Sequence, residues 1–387
     1  MVRADYNVPL DPDGEITDAS RVDATLPTLE ALRAAGARIV LVSHLGRPKG
    51  SPDPKLSLAP VARLLSERLK CRVSLVEDAL GGPHAAEERI EEMAPRELLM
   101  LENVRFHPGE TRNDPELGRA LGLLADGFVS EAFGVAHRAH ASNVGAAHSI
   151  RDRGGPAVAG FLMARELHFL REALRNPERP FVAVMGGAKI SGKLELIRSV
   201  LDQVDRLLVG GAMANTFLKA LGLETGDSLV EDDLVPMAME LLEVAGEKLL
   251  LPVDCVTAEE IEEGAQPLVV DRSGIANIHR VGDIGPRSRA MFAHELAGAA
   301  TILWNGPMGV FELSPFREGT FFIARALAEA ADRGAVVVLG GGDSAAAANA
   351  AGVSDRMTHV STGGGASLDL LAGNELPGVS VLETVEA

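Results

Sequence analysis

A chain of 387 residues is too long for one ordinary core, so two domains are expected. Hydrophobic residues make up 46% of it, enough for packed interiors, which excludes a disordered chain. The net charge of −18 disfavours binding to nucleic acid or to anionic membranes, so an anionic substrate would have to meet a local cluster of cations.

In chain order, the elements alternate between short apolar runs and Ala/Leu/Glu-rich segments. Val2–Tyr6 reads as a first strand, Thr25–Ala35 as a helix stopped by Gly36, Ala37–Ser43 as a strand and Leu58–Leu69 as a helix. A strand follows at Glu97–Leu101. Ala157–Leu174 has amphipathic helical spacing and ends at Asn176-Pro177. Strands are then expected at Phe181–Met185, Arg206–Val209, Ala300–Trp304 and Ala335–Leu339, and a helix at Ser344–Ala351. Leu368–Ala372 is a short helix and Leu376–Leu382 a tail. Apolar runs of this length, bounded by turns and alternating with helices, give βαβ units and parallel sheets. The expected fold is α/β, with two Rossmann-like domains of parallel sheet at residues 1–156 and 177–368, a hinge helix at 157–176 and a tail at 369–387. Cys71 and Cys255 are far apart and fit neither a disulfide framework nor a metal cluster. With no leader-like start and no apolar run of membrane length, a cytoplasmic protein is expected.

Before about residue 155, the strand ends carry cations. They are Val2-Arg3-Ala4-Asp5-Tyr6-Asn7, Val42-Ser43-His44-Leu45-Gly46-Arg47-Pro48, Leu101-Glu102-Asn103-Val104-Arg105-Phe106-His107 and Glu131 through His140. Ligands of open α/β sheets sit at carboxyl strand ends, where Arg47, Arg105 and Arg138 would converge, with Arg21 able to join them. The guanidinium fork fits phosphate or carboxylate bidentately, so several forks suit a small substrate with more than one anionic group. Asp5 and Asn7 would recognise a hydroxyl. Any one of these arginines could equally be a surface ion-pair partner; four in such positions are not well explained that way. His84, His148, His168 and His294 read as structural.

After about residue 180, the strand ends carry glycine: Met185-Gly186-Gly187-Ala188-Lys189, Val209-Gly210-Gly211, Trp304-Asn305-Gly306-Pro307-Met308-Gly309, Leu339-Gly340-Gly341-Gly342-Asp343-Ser344 and Thr362-Gly363-Gly364-Gly365. Glycine lets backbone amides approach a ligand, and a following helix N-terminus favours an anion. Five such turns point to a nucleotide. Gly187 to Lys193 matches a P-loop up to Gly-Lys, but Leu194 stands where a hydroxyl should hold Mg²⁺, so the match is read as accidental. Asp343 is the candidate oxygen ligand for Mg²⁺.

These motifs, together with Asp5-Tyr6-Asn7-Val8-Pro9, His137-Arg138-Ala139-His140-Ala141-Ser142 and Trp304 through Glu312, resemble those of the phosphoglycerate kinase family, in family order and over essentially the whole chain. The resemblance implies a monomeric bilobal enzyme of glycolysis that moves a phosphoryl group between 1,3-bisphosphoglycerate and Mg-ADP. By position, Asp5, Tyr6, Asn7, Arg21, His44, Leu45, Gly46, Arg47, Arg105 and Arg138 match the 3-phosphoglycerate site. Lys189 and Arg21 match the groups that meet the transferring phosphoryl. Gly187, Lys193, Gly211, Asn305, Glu312, Gly341, Gly342, Asp343 and Ser344 match the ATP/ADP site, with Asp343 on the metal and Glu312 at the ribose. The family also implies that domain closure precedes transfer and that the tail returns to the first domain. Gly192 stands where Asp is usual, Ser130-Glu131 where Asn-Asp is usual, and Val135 replaces a hydroxyl residue. Members usually start further upstream with a longer first strand, so the start at Met1 is short by that measure. The rival readings are another carboxylate kinase or ligase, a nicotinamide dehydrogenase and a non-catalytic sugar-phosphate binder. No convincing strand–GxGxxG–helix unit supports the second, and the presence of Lys189 and Asp343 disfavours the third.

Overall fold

The computed structural model describes residues 1–76, 83–172 and 176–383. The chain forms two compact units. Met1–Leu167 and the segment from Glu375 onward make the first, and His168–Asn374 makes the second.

The first unit is built on β1 (Val2–Ala4), β2 (Ile39–Val42), β3 (Val73–Val76), β4 (Leu98–Leu101), β5 (Phe128–Glu131) and β6 (Ala157–Ala159). They form one parallel sheet in the order β3-β4-β2-β1-β5-β6. Strands β2 and β4 are apolar and buried throughout, as strands covered on both faces must be. The order reverses at β1, so the carboxyl ends of β1, β2 and β5 border the crevice where ligands of such sheets bind. Two buried carboxylates fix helix starts near this edge. Glu102 accepts from Ser57 Oγ (2.7 Å) and the Leu58 amide (2.8 Å), ahead of the helix Ala59–Leu69. Glu131 accepts from Thr28 Oγ1 and from the amides of Leu162 (3.2 Å) and Met163 (2.9 Å), in the first turn of the helix Phe161–Leu167.

The helix expected from Ala157 does not begin there. Ala157–Ala159 pairs in parallel with Phe128–Ser130, and the helix starts at Phe161 before widening into a π turn over His168–Glu172. Alanine's helix propensity is overridden because the exposed edge of β5 offers a full ladder of partners. The tail packs on this unit: the Gly378 amide donates to Ala136 O (2.8 Å), the Glu383 amide to Ala157 O (2.7 Å), and Arg151 Nη1 to Val381 O (2.8 Å).

The second unit contains β7 (Phe181–Met185), β8 (Arg206–Val209), β9 (Leu249–Leu250), β10 (Asp254–Ala258), β11 (Leu268–Asp271), β12 (Arg280–Ile284), β13 (Thr301–Asn305), β14 (Val336–Leu339) and β15 (His359–Val360). Its parallel sheet has the order β15-β14-β13-β7-β8-β9. A separate antiparallel sheet, β11-β10-β12, was not anticipated from the alternation of strands and helices. Its outer strand β11 is mostly exposed and carries no core pattern. Trp304, the single tryptophan, is fully buried in this unit's core. No helix among the described residues is long and apolar enough to cross a membrane.

Candidate active site

At the carboxyl edge of the first sheet, Arg47, Arg105 and Arg138 line one cleft of about 470 Å3. Arg47 follows β2, Arg105 follows β4 and Arg138 lies past β5, so the strand order alone brings the three together. Lys49 and Arg112, which the sequence reading did not single out, extend the same cleft. Arg105 Nη1 donates to Gly46 O (2.8 Å), while its buried Nε has no partner among the described residues. Arg47 makes no hydrogen bond to the protein among the described residues and is exposed. Asn7 Oδ1 accepts the Gly46 amide (2.8 Å) and so fixes the loop that carries Arg47.

Behind the cleft lies a buried network anchored by Arg3, a residue the sequence reading passed over. Arg3 is fully buried; its Nε donates to Ser142 Oγ (2.7 Å), and its Nη2 lies 3.9 Å from Glu110 Oε1 and 3.2 Å from His44 Nδ1. A guanidinium can only donate, so His44 Nδ1 accepts and the ring proton sits on Nε2, 3.8 Å from Asp5 Oδ1. Burial, helped by Arg3, Arg105 and Arg21 and opposed by Asp5, holds the His44 pKa well below its ordinary value, so the ring is neutral at pH 7. Burial pushes the Asp5 carboxyl up. The pull of His44, Arg21 and Arg3, with the Asn7 amide, outweighs this and leaves it below the usual range. With His44 neutral, the two arginines carry that pull. Burial lowers Arg105 to about 10, with Arg3 and Arg138 adding to the effect. The cleft is thus a preformed positive site in a negative molecule.

In the second unit, a pocket of about 380 Å3 is lined by Gly187, Gly211, Glu312 and Asp343, with Asn215 and Asp283 further along its wall. Gly211 (φ +65°) packs on the backbone of Gly187 and Pro307, an approach that a side chain would block. Gly341, at φ +93°, precedes the helix Gly342–Ala350, whose first-turn amides have no intrahelical partner among the described residues and can meet an anion. Glu231 accepts from the Ile190 amide (2.6 Å), the Ser191 amide (3.1 Å) and Ser191 Oγ (2.5 Å). A carboxylate thus occupies the turn where a P-loop would hold phosphate, and the helix begins only at Leu194.

Several expected contacts stand elsewhere. Tyr6 is fully buried with its hydroxyl 2.8 Å from Thr25 Oγ1, and Leu45 is 2% exposed; their side chains belong to the core and not to the cleft. The Asn305 amide donates to Gly340 O (2.7 Å). Ser344 Oγ accepts from the Gly306 amide (2.7 Å) and donates to Gly340 O (2.9 Å). Both are fastened inside the pocket wall because the glycine turns leave carbonyls and amides that need partners. Lys193 Nζ donates to Gly186 O (2.6 Å) and Asn305 O (3.0 Å), and burial lowers its pKa to about 8 against the opposing pull of Asp343. Lys189 is exposed. Arg21 is paired with Asp5 at 2.8 Å. The side chain of His84 lies outside the described residues.

The family model described as phosphoglycerate kinase matches residues 1–374. The curated phosphoglycerate kinase of Chloroflexus aurantiacus is 53% identical over 390 aligned positions, covering 100% of this chain and 96% of that protein. That of Chlorobium phaeobacteroides is 48% identical, over 99% of this chain and 96% of the relative. Among solved structures, phosphoglycerate kinase from Coxiella burnetii superposes with a TM-score of 0.88 at 42% identity, covering 98% of this chain and 95% of that one. The enzyme from Pyrococcus horikoshii OT3 gives 0.83 at 34%, with the same coverage.

Proposed function

Because the chain belongs to the phosphoglycerate kinase family, we propose that its first unit binds the triose and its second unit the nucleotide. The reaction is the family's reversible phosphoryl transfer, from 1,3-bisphosphoglycerate to ADP, giving 3-phosphoglycerate and ATP. The observation that carries the division of labour is the cleft of Arg47, Arg105 and Arg138, backed by Arg3, in a chain of net charge −18. A triose with a phosphate and a carboxylate presents two anionic groups to guanidinium forks. Asp5 and neutral His44 are left to recognise its hydroxyl.

In the nucleotide pocket, the glycine turns admit phosphates, the helix after Gly341 turns its amides towards them, and Glu312 meets the ribose. Transfer needs alignment and charge neutralisation more than covalent chemistry from the protein. Lys189 and Arg21 neutralise the transferring group. Asp343 fits a Mg²⁺ ion carried by the nucleotide: it is an exposed carboxylate with no hydrogen bond to the protein among the described residues, and no cluster of three ligating side chains is present among those residues. The ion would offset phosphate charge. We read the enzyme as a cytoplasmic monomer, a reading supported by its two free cysteines and by its charge, which suits neither nucleic acid nor membrane.

Calorimetry with 3-phosphoglycerate and Mg-ADP, each titrated alone, tests the assignment. Arg138→Ala should weaken triose binding about tenfold or more and leave Mg-ADP unchanged, since a charge-assisted contact is worth about 1.5–3 kcal/mol. Equal losses for both ligands would overturn it.

A further inference from the structure

The loop from Asn305 to Glu312 reaches the nucleotide pocket, yet what fixes it comes from two elements behind it. Thr320 Oγ1, fully buried, accepts the amides of Met308 (3.0 Å) and Gly309 (3.1 Å). Thr320 lies in the first turn of the helix Glu318–Asp332. That turn is itself held by Asp283 of β12, whose Oδ2 accepts the Gly319 amide (2.5 Å) and whose Oδ1 accepts its neighbour Ile284 N (2.8 Å). The fit around the carboxylate is close on both sides. A Cβ at Gly309 or at Gly319 would collide with it. The Val310 amide adds a third tie, to Gly282 O (2.9 Å). One buried carboxylate thus sets the helix end, and one buried hydroxyl on that end sets the loop.

We propose that Asp283 and Thr320 are positioning residues that brace the loop for nucleotide binding, and that the brace grips only while Asp283 is ionised. The proposal rests on the reading of this pocket as the nucleotide site. Two N–H donors converge on the Asp283 oxygens, and a carboxylate accepts both strongly. A neutral acid turns one oxygen into a donor and weakens that end of the brace. The titratable groups around it are Arg289 on the helix Pro286–Ala297, Glu318 at the start of the helix that carries Thr320, and Cys255 on β10. Burial raises Asp283 to about 7 against the Gly319 and Ile284 amides and Arg289, while Glu318 adds to the rise. Cys255, pushed up to about 12 by burial and by nearby carboxylates, stays neutral and takes no part. Asp283 is therefore mostly ionised at pH 8.5 and mostly neutral at pH 5.5.

The test measures Mg-ADP affinity by calorimetry from pH 5.5 to 8.5 in the whole chain, with unfolding of the second unit, followed by the fluorescence of its buried Trp304, as the control for folding. At pH 8.5, Thr320→Val should raise the Kd for Mg-ADP about tenfold, and Thr320→Ser should restore it to within about twofold. Asp283→Asn should bind about tenfold more weakly than wild type at pH 8.5 and about equally at pH 5.5, because the wild-type side chain is then neutral too. Comparing variant with wild type at each pH cancels the titration of ADP itself. If Thr320→Val binds Mg-ADP like wild type, or if the ratio of Asp283→Asn to wild type does not change with pH, the brace is only structural and the proposal falls. If Asp283→Asn does not fold, the valine and serine pair decides the positioning role, and the pH profile of wild type divided by that of Thr320→Val decides the ionisation. A wild-type chain that binds no Mg-ADP would overturn the nucleotide reading itself, which is a different result from loss of the brace.

Discussion

Lys189 and Lys193 stand four residues apart on one turn, and their surroundings give them different work. Lys193 is half-buried and bonded to two main-chain carbonyls, so its charge already serves the glycine turns that shape the pocket. Lys189 is exposed, and its long side chain can follow charge as it develops. Interactions made only in the transition state appear in kcat. Lys189→Ala should therefore lower kcat by about 10²–10³ while calorimetric Kd values for both substrates hold. Loss of nucleotide affinity with kcat preserved would reverse the two roles. The strand-end positions of these residues were legible in the sequence, because a cation or glycine after an apolar run has its place set by the strand. Arg3 was not legible. It lies within β1, and only Glu110, Ser142 and His44, brought in from distant segments, make its buried charge tolerable. Nor was the direction of the Tyr6 ring legible, since its place in a strand-end motif said nothing of which way it turns.

At the scale of elements, the regular βαβ pattern could be read directly, since apolar runs and helical segments alternate with glycine and proline between them. What escaped were strands whose reasons lie elsewhere in the chain. β6 is an alanine-rich stretch made into a strand by the free edge of β5. β11 and β12 pair around β10 with little apolar pattern of their own. The junction after β6 is tight. Gly160 donates its amide to Ser130 O (2.8 Å), and a Cβ there would strike the Glu131 carboxylate that caps the following helix. The glutamate that departs from the family's usual aspartate thus has a role, and Gly160 makes room for it. Gly160→Ala should destabilise the first unit by about 1–3 kcal/mol through overpacking. Denaturant unfolding followed by triose binding would measure this, and an unchanged midpoint would remove the constraint.

Across the whole molecule, the first unit is completed by a segment from the far end of the chain. That segment gives up its Gly378 and Glu383 amides to Ala136 O and Ala157 O, and its Val381 carbonyl to Arg151, so its loss should loosen β6 and the turn before Arg138. Removing residues 375–387 should weaken 3-phosphoglycerate binding about tenfold. It should leave Mg-ADP affinity and the Trp304 fluorescence of the second unit unchanged, and a parallel loss of both would contradict the division of the chain. The same discontinuity sets an order in time. A chain made from its N-terminus has every residue of the second unit, one unbroken stretch, before it has the last residues of the first. Domains tend to fold as units during synthesis. The first unit is thus begun earliest and completed last. The first must wait, its Ala136 and Ala157 carbonyls served by water, until translation delivers the segment that replaces it.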